Sequence, residues 1–376
     1  MLRTGRDSEM ATGLVWHELY MWHHPGQNYA LMVPAGLTVQ PAEYIENPET
    51  KRRIKNLLDV SGLSSQLVHV EPRHATDNEI LRVHTREYLE RIRSLSNNKG
   101  GEAGLYAPFG PGGYEISTLA AGGGITLADA VLDGAVANGY ALVRPPGHHA
   151  VADRGMGGCI FCNSAITGRH LLEERGLGRI AFVDWDVHHG NGTEAAFWTE
   201  SRALTISIHQ DGVFPPDRGL VSQAGEGEGK GYNINVPLPA GSGVGAYEAA
   251  FDRVVIPALR AYGPDMIVVP SGLDADVFDL MGQQMMTSEG YRSLARKLMG
   301  VADDVCAGRI MMLHEGGYSV ATVPYIGLAI IEELSGIRTG ISDPFLEGAA
   351  GYAGQDLQPH QDAMISEAEV LVKDLK

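Results

Sequence analysis

The chain has 376 residues, 44% of them apolar and 48 of them glycine, which fits a loop-rich globular enzyme and excludes fibrous and intrinsically disordered classes. A formal net charge of −17 argues against a generic nucleic-acid binder; it permits steering of cationic substrates, or serves solubility alone. Three cysteines are too few, and odd in number, for a disulfide framework, and they point to a reducing cytoplasm.

The opening "MLRTGRDSEM" lacks an apolar h-region, and no apolar run approaches a membrane span, so no membrane partner is expected. Residues 1–11 read as a flexible N-terminal extension ahead of one domain over 12–376, with no repeat or interdomain linker. The helical pattern of 118–134 comes first, followed by a strand at 140–143, "YALV". Further strands are expected at 179–185, "RIAFVDW", and at 203–209, "ALTISIH". A helix over 245–263 precedes a strand at 266–272, "MIVVPSG". Another helix, 288–306, precedes the strand of 309–317, "RIMMLHEGG". Near the C-terminus, Ile365, Ala368, Val372 and Leu375 share one helical face that should dock on the body. Short apolar runs alternating with helices predict an α/β domain built on a parallel sheet.

The chemistry-bearing residues follow the strands. "RPPGHHA" (144–150), "DWDVHHGNG" (184–192), "SGLDAD" (271–276) and "HEGGYS" (314–319) each sit at a strand's end. In open parallel sheets the loops at the carboxyl ends converge on the ligand, so these four runs point to one pocket. Asp186 and His188 are two apart and face one side of an extended segment; a third ligand must come from another strand, and Asp274 is the natural candidate. Two carboxylates and an imidazole suit catalytic Zn²⁺ with an open position, although Fe²⁺ or Mn²⁺ would also fit. Taken singly, each is more readily a hydrogen-bonded polar residue at a strand end; it is the convergence that favours a metal. His148 and His149, on a loop stiffened by Pro-Pro-Gly, are candidate acid–base groups. Asp184 and Asn191 are suitably typed to orient them, and one carboxylate against one neutral amide would push the two imidazole pKa values apart.

These four motifs, with "NPETKRR" (47–53), "YNINVPLPAGSG" (232–243) and "YIGLAIIEELSG" (325–336), resemble the zinc-dependent histone deacetylase family, its class II branch and bacterial histone deacetylase-like amidohydrolases most closely. The resemblance implies the arginase/deacetylase fold, a central parallel sheet of about eight strands flanked by helices, and hydrolysis of N-acyl amides. It implies one Zn²⁺ per chain on Asp186, His188 and Asp274. His149 then becomes the proton shuttle, with Asp184 as the partner of His148 and Asn191 as that of His149. Tyr318 becomes the donor to the substrate carbonyl. It further implies K⁺ or Na⁺ sites at Asp184, Asp186, His188, Ser207 and Ile208, and at Phe197, Glu200, Ala203 and Tyr232. A second transition metal, as in arginases, would need a carboxylate at 190, where this chain has glycine.

The departures from the family pattern bear on substrate rather than chemistry. Phe214 supplies one aromatic wall of the acyl channel, but Gly158, after Gly157, stands where a second aromatic is usual. That predicts an open wall and bulkier substrates, unless Met156 or Met281 fills the space. The rim aspartate is missing near Gly104, with Glu102 as its substitute, and Asp279-Leu280-Met281 replaces Asp-Pro-Leu. Cys159 and Cys162 read as packing cysteines rather than a redox pair. The expected partner is a small-molecule or peptide N-acyl amine such as acetyl-lysine or an acetylpolyamine, and a homo-oligomer is compatible with the chain. The alternatives are an amidase for bulkier natural or xenobiotic amides and, third, a non-catalytic acyl-lysine binding module.

Overall fold

Eight short strands supply the scaffold. In chain order they are β1 (Thr12–Val15), β2 (Val68–Val70), β3 (Asn138–Ala141), β4 (Ile180–Asp184), β5 (Ala203–Gln210), β6 (Asn233–Leu238), β7 (Met266–Ser271) and β8 (Ile310–His314). They pair in parallel as one sheet of order β6-β5-β4-β7-β8-β3-β1-β2. The structure is a computed structural model describing residues 11–373 and Leu375. All of the expected N-terminal extension except Ala11 lies outside the described residues.

Strand composition follows from burial on both faces. Along β4, Ala181 and Val183 enter one core while Ile180 and Phe182 enter the other. Likewise β8 divides Ile310 and Met312 from Met311 and Leu313. A sheet covered by helices on both sides needs apolar residues without alternation, which is why these strands read as continuous apolar runs.

The covering helices include α1 (Glu49–Val60), α2 (Gly113–Leu132), α3 (Asn163–Glu173) and α4 (Asn191–Phe197). Later come α5 (Val244–Ala250), α6 (Ile256–Tyr262), α7 (Ser288–Cys306), α8 (Val323–Ser335) and α9 (Pro359–Val372). The helix expected over 245–263 is interrupted by a π-turn at Phe251–Val255, between α5 and α6. Helix α2 starts five residues before its expected beginning, and its three successive glycines allow close packing. A Cβ on Gly122 would lie 1.8 Å from the Arg73 carbonyl oxygen, and one on Gly124 would lie 2.5 Å from Thr167 Oγ1 of α3. Helix α9 buries Ile365 and Ala368 fully in the core that Val372 and Leu375 also reach.

The chain thus forms a single α/β domain around an eight-stranded parallel sheet. The strands β4-β7-β8-β3 are neighbours, and their carboxyl ends carry the four motifs. No helix among the described residues is long and apolar enough to cross a membrane.

Candidate active site

Asp186 and His188 follow β4, Asp274 follows β7, and all three are buried with their ligand atoms within 4.8 Å of one another. His188 Nδ1 stands 3.0 Å from Asp186 Oδ1 and 3.1 Å from Asp274 Oδ2. Backbone donors fix both carboxylates: Gly316 N–H donates to Asp186 Oδ2 at 2.9 Å, and Val187 N–H to Asp274 Oδ1 at 2.9 Å. Apart from that 3.1 Å approach of His188 Nδ1, Asp274 Oδ2 has no hydrogen-bond partner, although buried polar atoms normally have one.

Burial pushes the Asp274 carboxyl up to about 6, and the charge of Asp186 adds to it. Burial alone would lower the His188 pKa, but Asp186 and Asp274 reverse that and raise it to about 10. Two buried carboxylates around one imidazole are short of positive charge, and a divalent cation supplies it. Glycine keeps the space clear: a Cβ on Gly272 would meet Asp186 Oδ2 at 2.1 Å, and one on Gly316 would meet Asp274 Oδ2 at 2.1 Å. The residues present therefore fit a metal. This trio is the one such cluster among the described residues. At position 190 a Cβ would meet Asp184 Oδ2 at 2.2 Å, so no second carboxylate could stand there.

The tandem histidines lie beside the trio, with ring centroids 4.0 Å apart. Glu315, just after β8, holds their loop: its Oε2 accepts from Gly147 N–H at 2.6 Å and from His148 N–H at 3.0 Å. His148 Nδ1–H donates to Asp184 Oδ2 at 2.9 Å, and His149 Nδ1–H to Asn191 Oδ1 at 2.8 Å. The neighbours then separate the two rings electrostatically. Burial would lower the His148 pKa, but Asp186 and Asp184 carry it well above the usual imidazole value. Burial lowers His149 well below that value, and the positive charges of His148 and His188 add to the effect. The carboxylates favour the charged form of the His148 ring, whereas burial and neighbouring positive charge favour the neutral form of His149.

A cavity of about 160 Å³ opens beside His149, His188 and Tyr318, lined further by Met32, Tyr106, Gly157, Val213, Phe214 and Met281. The expected open wall is corrected here. Gly158 does not line the cavity; its φ of +82° turns its missing side chain towards Glu46 Cγ, 3.4 Å from an ideal Cβ. The glycine beside Phe214 is Gly157, whose Cβ would lie 3.1 Å from Phe214 Cε1 and 2.6 Å from His149 Cδ2. Met32 and Tyr106, which sequence reasoning missed, complete the wall. Met156 does not fill it; its sulfur takes a weak contact from Asn191 Nδ2 at 3.7 Å. Glu102 Oε1 accepts from Gly104 N–H at 3.0 Å and Ala107 N–H at 2.7 Å, so it braces the turn that carries Tyr106.

Cross-strand pairing sets Asp184 beside Ser207, with Ile208 next along β5. The second expected cation group sits at the other end of β5, about 13 Å away at 3.3 Å per residue. There Ala203 begins the strand and Glu200 N–H donates to the Phe197 carbonyl at 2.9 Å; Tyr232 just precedes β6. The Glu200 carboxylate is paired with Arg202 and Arg169. Cys159, Cys162 and Cys306 are all free and buried.

Asp279, named in the sequence only as part of Asp279-Leu280-Met281, has a role that the sequence did not show. Its Oδ2 accepts from Tyr318 N–H at 2.7 Å and Ser319 N–H at 3.2 Å, and its Oδ1 from Met281 N–H at 2.8 Å. It therefore ties Tyr318 to the Met281 wall. Asp279→Ala should lower kcat by up to about 10²-fold, the cost of misplacing a reacting group by around 1 Å, with a smaller change in KM. Asp279→Asn keeps one acceptor, enough for the Tyr318 and Ser319 N–H groups but not for Met281 N–H as well, and should recover part of that loss in steady-state kinetics. Equal kcat in all three proteins would remove the positioning role.

Residues 44–334 match the histone deacetylase domain family. The histone deacetylase-like amidohydrolase of Pseudomonas aeruginosa is 46% identical over 336 residues, covering 89% of this chain and 88% of that protein. A probable deacetylase of Archaeoglobus fulgidus is 33% identical over 374 residues, 98% and 97% of the two chains. The crystal structure of the HDA15 HD domain superposes with a TM-score of 0.80 at 29% identity, covering 98% of this chain and 99% of that one.

Proposed function

The chain belongs to the histone deacetylase family, and from that premise we propose that it is a zinc-dependent amidohydrolase removing acyl groups from N-acyl amines in the cytoplasm. One observation carries the reading: two histidines, one hydrogen-bonded to a carboxylate and one to an amide, stand against the Asp186/His188/Asp274 trio. A non-catalytic binding module would leave that division without a purpose.

Asp186, His188 and Asp274 would hold the Zn²⁺, and the chemistry it supplies when bound is polarisation of the substrate carbonyl and of the attacking water. His149 Nε2 takes a proton from water as the nucleophile forms, because its ring is held neutral. The same proton then goes to the departing amine nitrogen, so no covalent enzyme intermediate is needed. Such acid–base assistance contributes about 10²–10⁴-fold in rate. His148, whose pKa Asp186 and Asp184 raise, is placed to balance the buried negative charge beside it. Tyr318 stays protonated, since burial and the charges of Asp274 and Asp186 raise its pKa well above the phenol value. Its O–H can therefore donate to the carbonyl oxygen. Asp184 and Ser207, and the group around Phe197, would hold the monovalent cations.

The test is hydrolysis of a simple N-acetyl amide. Turnover should vanish on chelation, return with one equivalent of Zn²⁺, and fall at least about 10²-fold in His149→Ala. The sign of the pH dependence follows from the lowered His149 pKa: activity should lose its base only as pH falls well below the usual imidazole range. No turnover by the zinc-loaded protein, or full activity in His149→Ala, would sink the assignment.

A further inference from the structure

We propose that a pocket separate from the cavity at Tyr318 is a second ligand site, which takes a small organic anion: one anionic group carried on an aromatic body. The inference stands apart from the amidohydrolase reading, because the two sites share no lining residue.

The pocket measures about 510 Å³, within the roughly 300–1,000 Å³ of small-molecule sites. Three segments build it. Asn191, Glu194, Ala195 and Trp198 form one side, at the spacing of a single helix face along α4 and the residue after it. Arg154 and Met156 come from the segment that follows the tandem histidines, and Pro215 and Arg218 from the loop after β5. The half-buried Trp198 is anchored, since its Nε1–H donates to Glu226 Oε2 at 3.3 Å. An indole held in place beside proline and methionine side chains offers an aromatic body a rigid apolar surface.

Charge decides the class of ligand. The chain carries 46 acidic residues against 29 basic ones, so carboxylates to pair with arginine are plentiful. Yet among the described arginines the side chains of Arg86, Arg154 and Arg218 make neither a hydrogen bond nor an ion pair, and two of these three line this pocket. Both are exposed, so their planar donor forks are open to a ligand's oxygens. Glu194, the acid of the lining, does not neutralise them. It is 4% exposed, and its Oε2 accepts from His189 Nε2–H at 3.1 Å, Asn233 Nδ2–H at 2.7 Å and Asn235 Nδ2–H at 3.0 Å. Its charge is thus taken up inside the protein, and the two guanidinium groups leave the lining with a positive excess. Asp153 and Asp217 flank the arginines in the chain but do not line the pocket. The net charge of −17 repels anions from the molecule as a whole. That repulsion is screened over about 8 Å at physiological ionic strength, so the local pair governs capture.

Calorimetry on the full chain tests the site with benzenesulfonate, a poor zinc ligand, and methyl phenyl sulfone, its neutral counterpart. Benzenesulfonate should bind with the same Kd in the metal-free and the zinc-loaded protein. The sulfone should bind at least about tenfold more weakly, the usual worth of a charge-assisted hydrogen bond. Inorganic sulfate, which lacks the ring, should also bind at least about tenfold more weakly than benzenesulfonate. Replacing both arginines, Arg154→Gln with Arg218→Gln, should weaken benzenesulfonate by a similar factor. The melting temperature should stay unchanged, because neither side chain makes a polar contact within the fold. Trp198 gives a local readout: binding should change the wild-type tryptophan fluorescence, and that change should disappear in Trp198→Phe. No saturable binding, a sulfone or inorganic sulfate that binds as tightly as benzenesulfonate, or full affinity in the double variant would each overturn the site.

Discussion

Asp274→Ala is expected to abolish metal binding and turnover together. The substitution removes the acceptor of Val187 N–H and the carboxylate oxygen that faces His188 Nδ1 at 3.1 Å. Two opposing effects act on the metal-free fold. An unsatisfied buried N–H costs about 1–3 kcal/mol, whereas removing one of two adjacent buried carboxylates relieves the burial cost and the repulsion from Asp186 that together raise the Asp274 pKa to about 6. The metal-free melting temperature should therefore move little. The metal-dependent part should move greatly, because ligand binding stabilises by RT ln(1 + [L]/Kd), about 4.1 kcal/mol at a thousandfold excess over Kd. Zinc should thus raise the wild-type melting temperature by several degrees and leave that of Asp274→Ala unchanged. The separation of metal-free from metal-dependent stability makes the assignment testable without an activity assay. One retained equivalent of metal in the variant, with normal turnover, would overturn it; two equivalents in the fully active wild type would overturn the single-metal site.

What the sequence revealed and what it hid have the same physical basis. Five strands were readable: β4, β7 and β8 as near-continuous apolar runs, β5 as apolar residues alternating with Thr205, Ser207 and His209, and β3 only through Tyr140 and Ala141. The other three gave no such reading. Four-residue β1 contains Gly13, β2 is three largely exposed residues, and β6 carries Asn233, Asn235 and Pro237 at the sheet's edge, where proline is tolerated. The π-turn after α5 keeps a helical pattern of residue types, so nothing in "FDRVV" betrays it. The chemistry was legible wherever a polar motif closes an apolar strand. Gly158 was misplaced because residue identity does not reveal backbone direction, and its left-handed φ reverses the side on which a side chain would stand. Met32 and Tyr106 come from loops distant in sequence and belong to no motif. The roles of Glu315 and Asp279 consist of gripping backbone N–H groups, which residue type does not encode. Their only signal is an acid beside a glycine-rich turn or a pocket wall.

Tyr318→Phe should lower kcat by about 10²–10³, or roughly 2.7–4 kcal/mol, the usual loss when one donor to a developing oxyanion is removed. Its position limits what else the substitution can change. Asp279 holds its backbone N–H, Thr50 Oγ1–H donates to the Gly317 carbonyl at 3.0 Å, and Lys51 Nζ lies 5.5 Å from its ring centroid. Phenylalanine keeps the ring, the backbone contacts and the Lys51 interaction, so the loop should stay in place and only the donor is lost. Because the carbonyl gains negative charge only as the nucleophile adds, the missing bond is felt more in the transition state than in the bound substrate. The loss should therefore appear in kcat, with KM for a simple N-acetyl amide nearly constant. This separates the tyrosine from Asp279, whose removal leaves a misplaced hydroxyl and a smaller deficit that Asn restores in part. A Tyr318→Phe enzyme with unchanged kcat and raised KM would make the tyrosine a binding residue. The oxyanion would then have to be stabilised by the metal and the histidines alone.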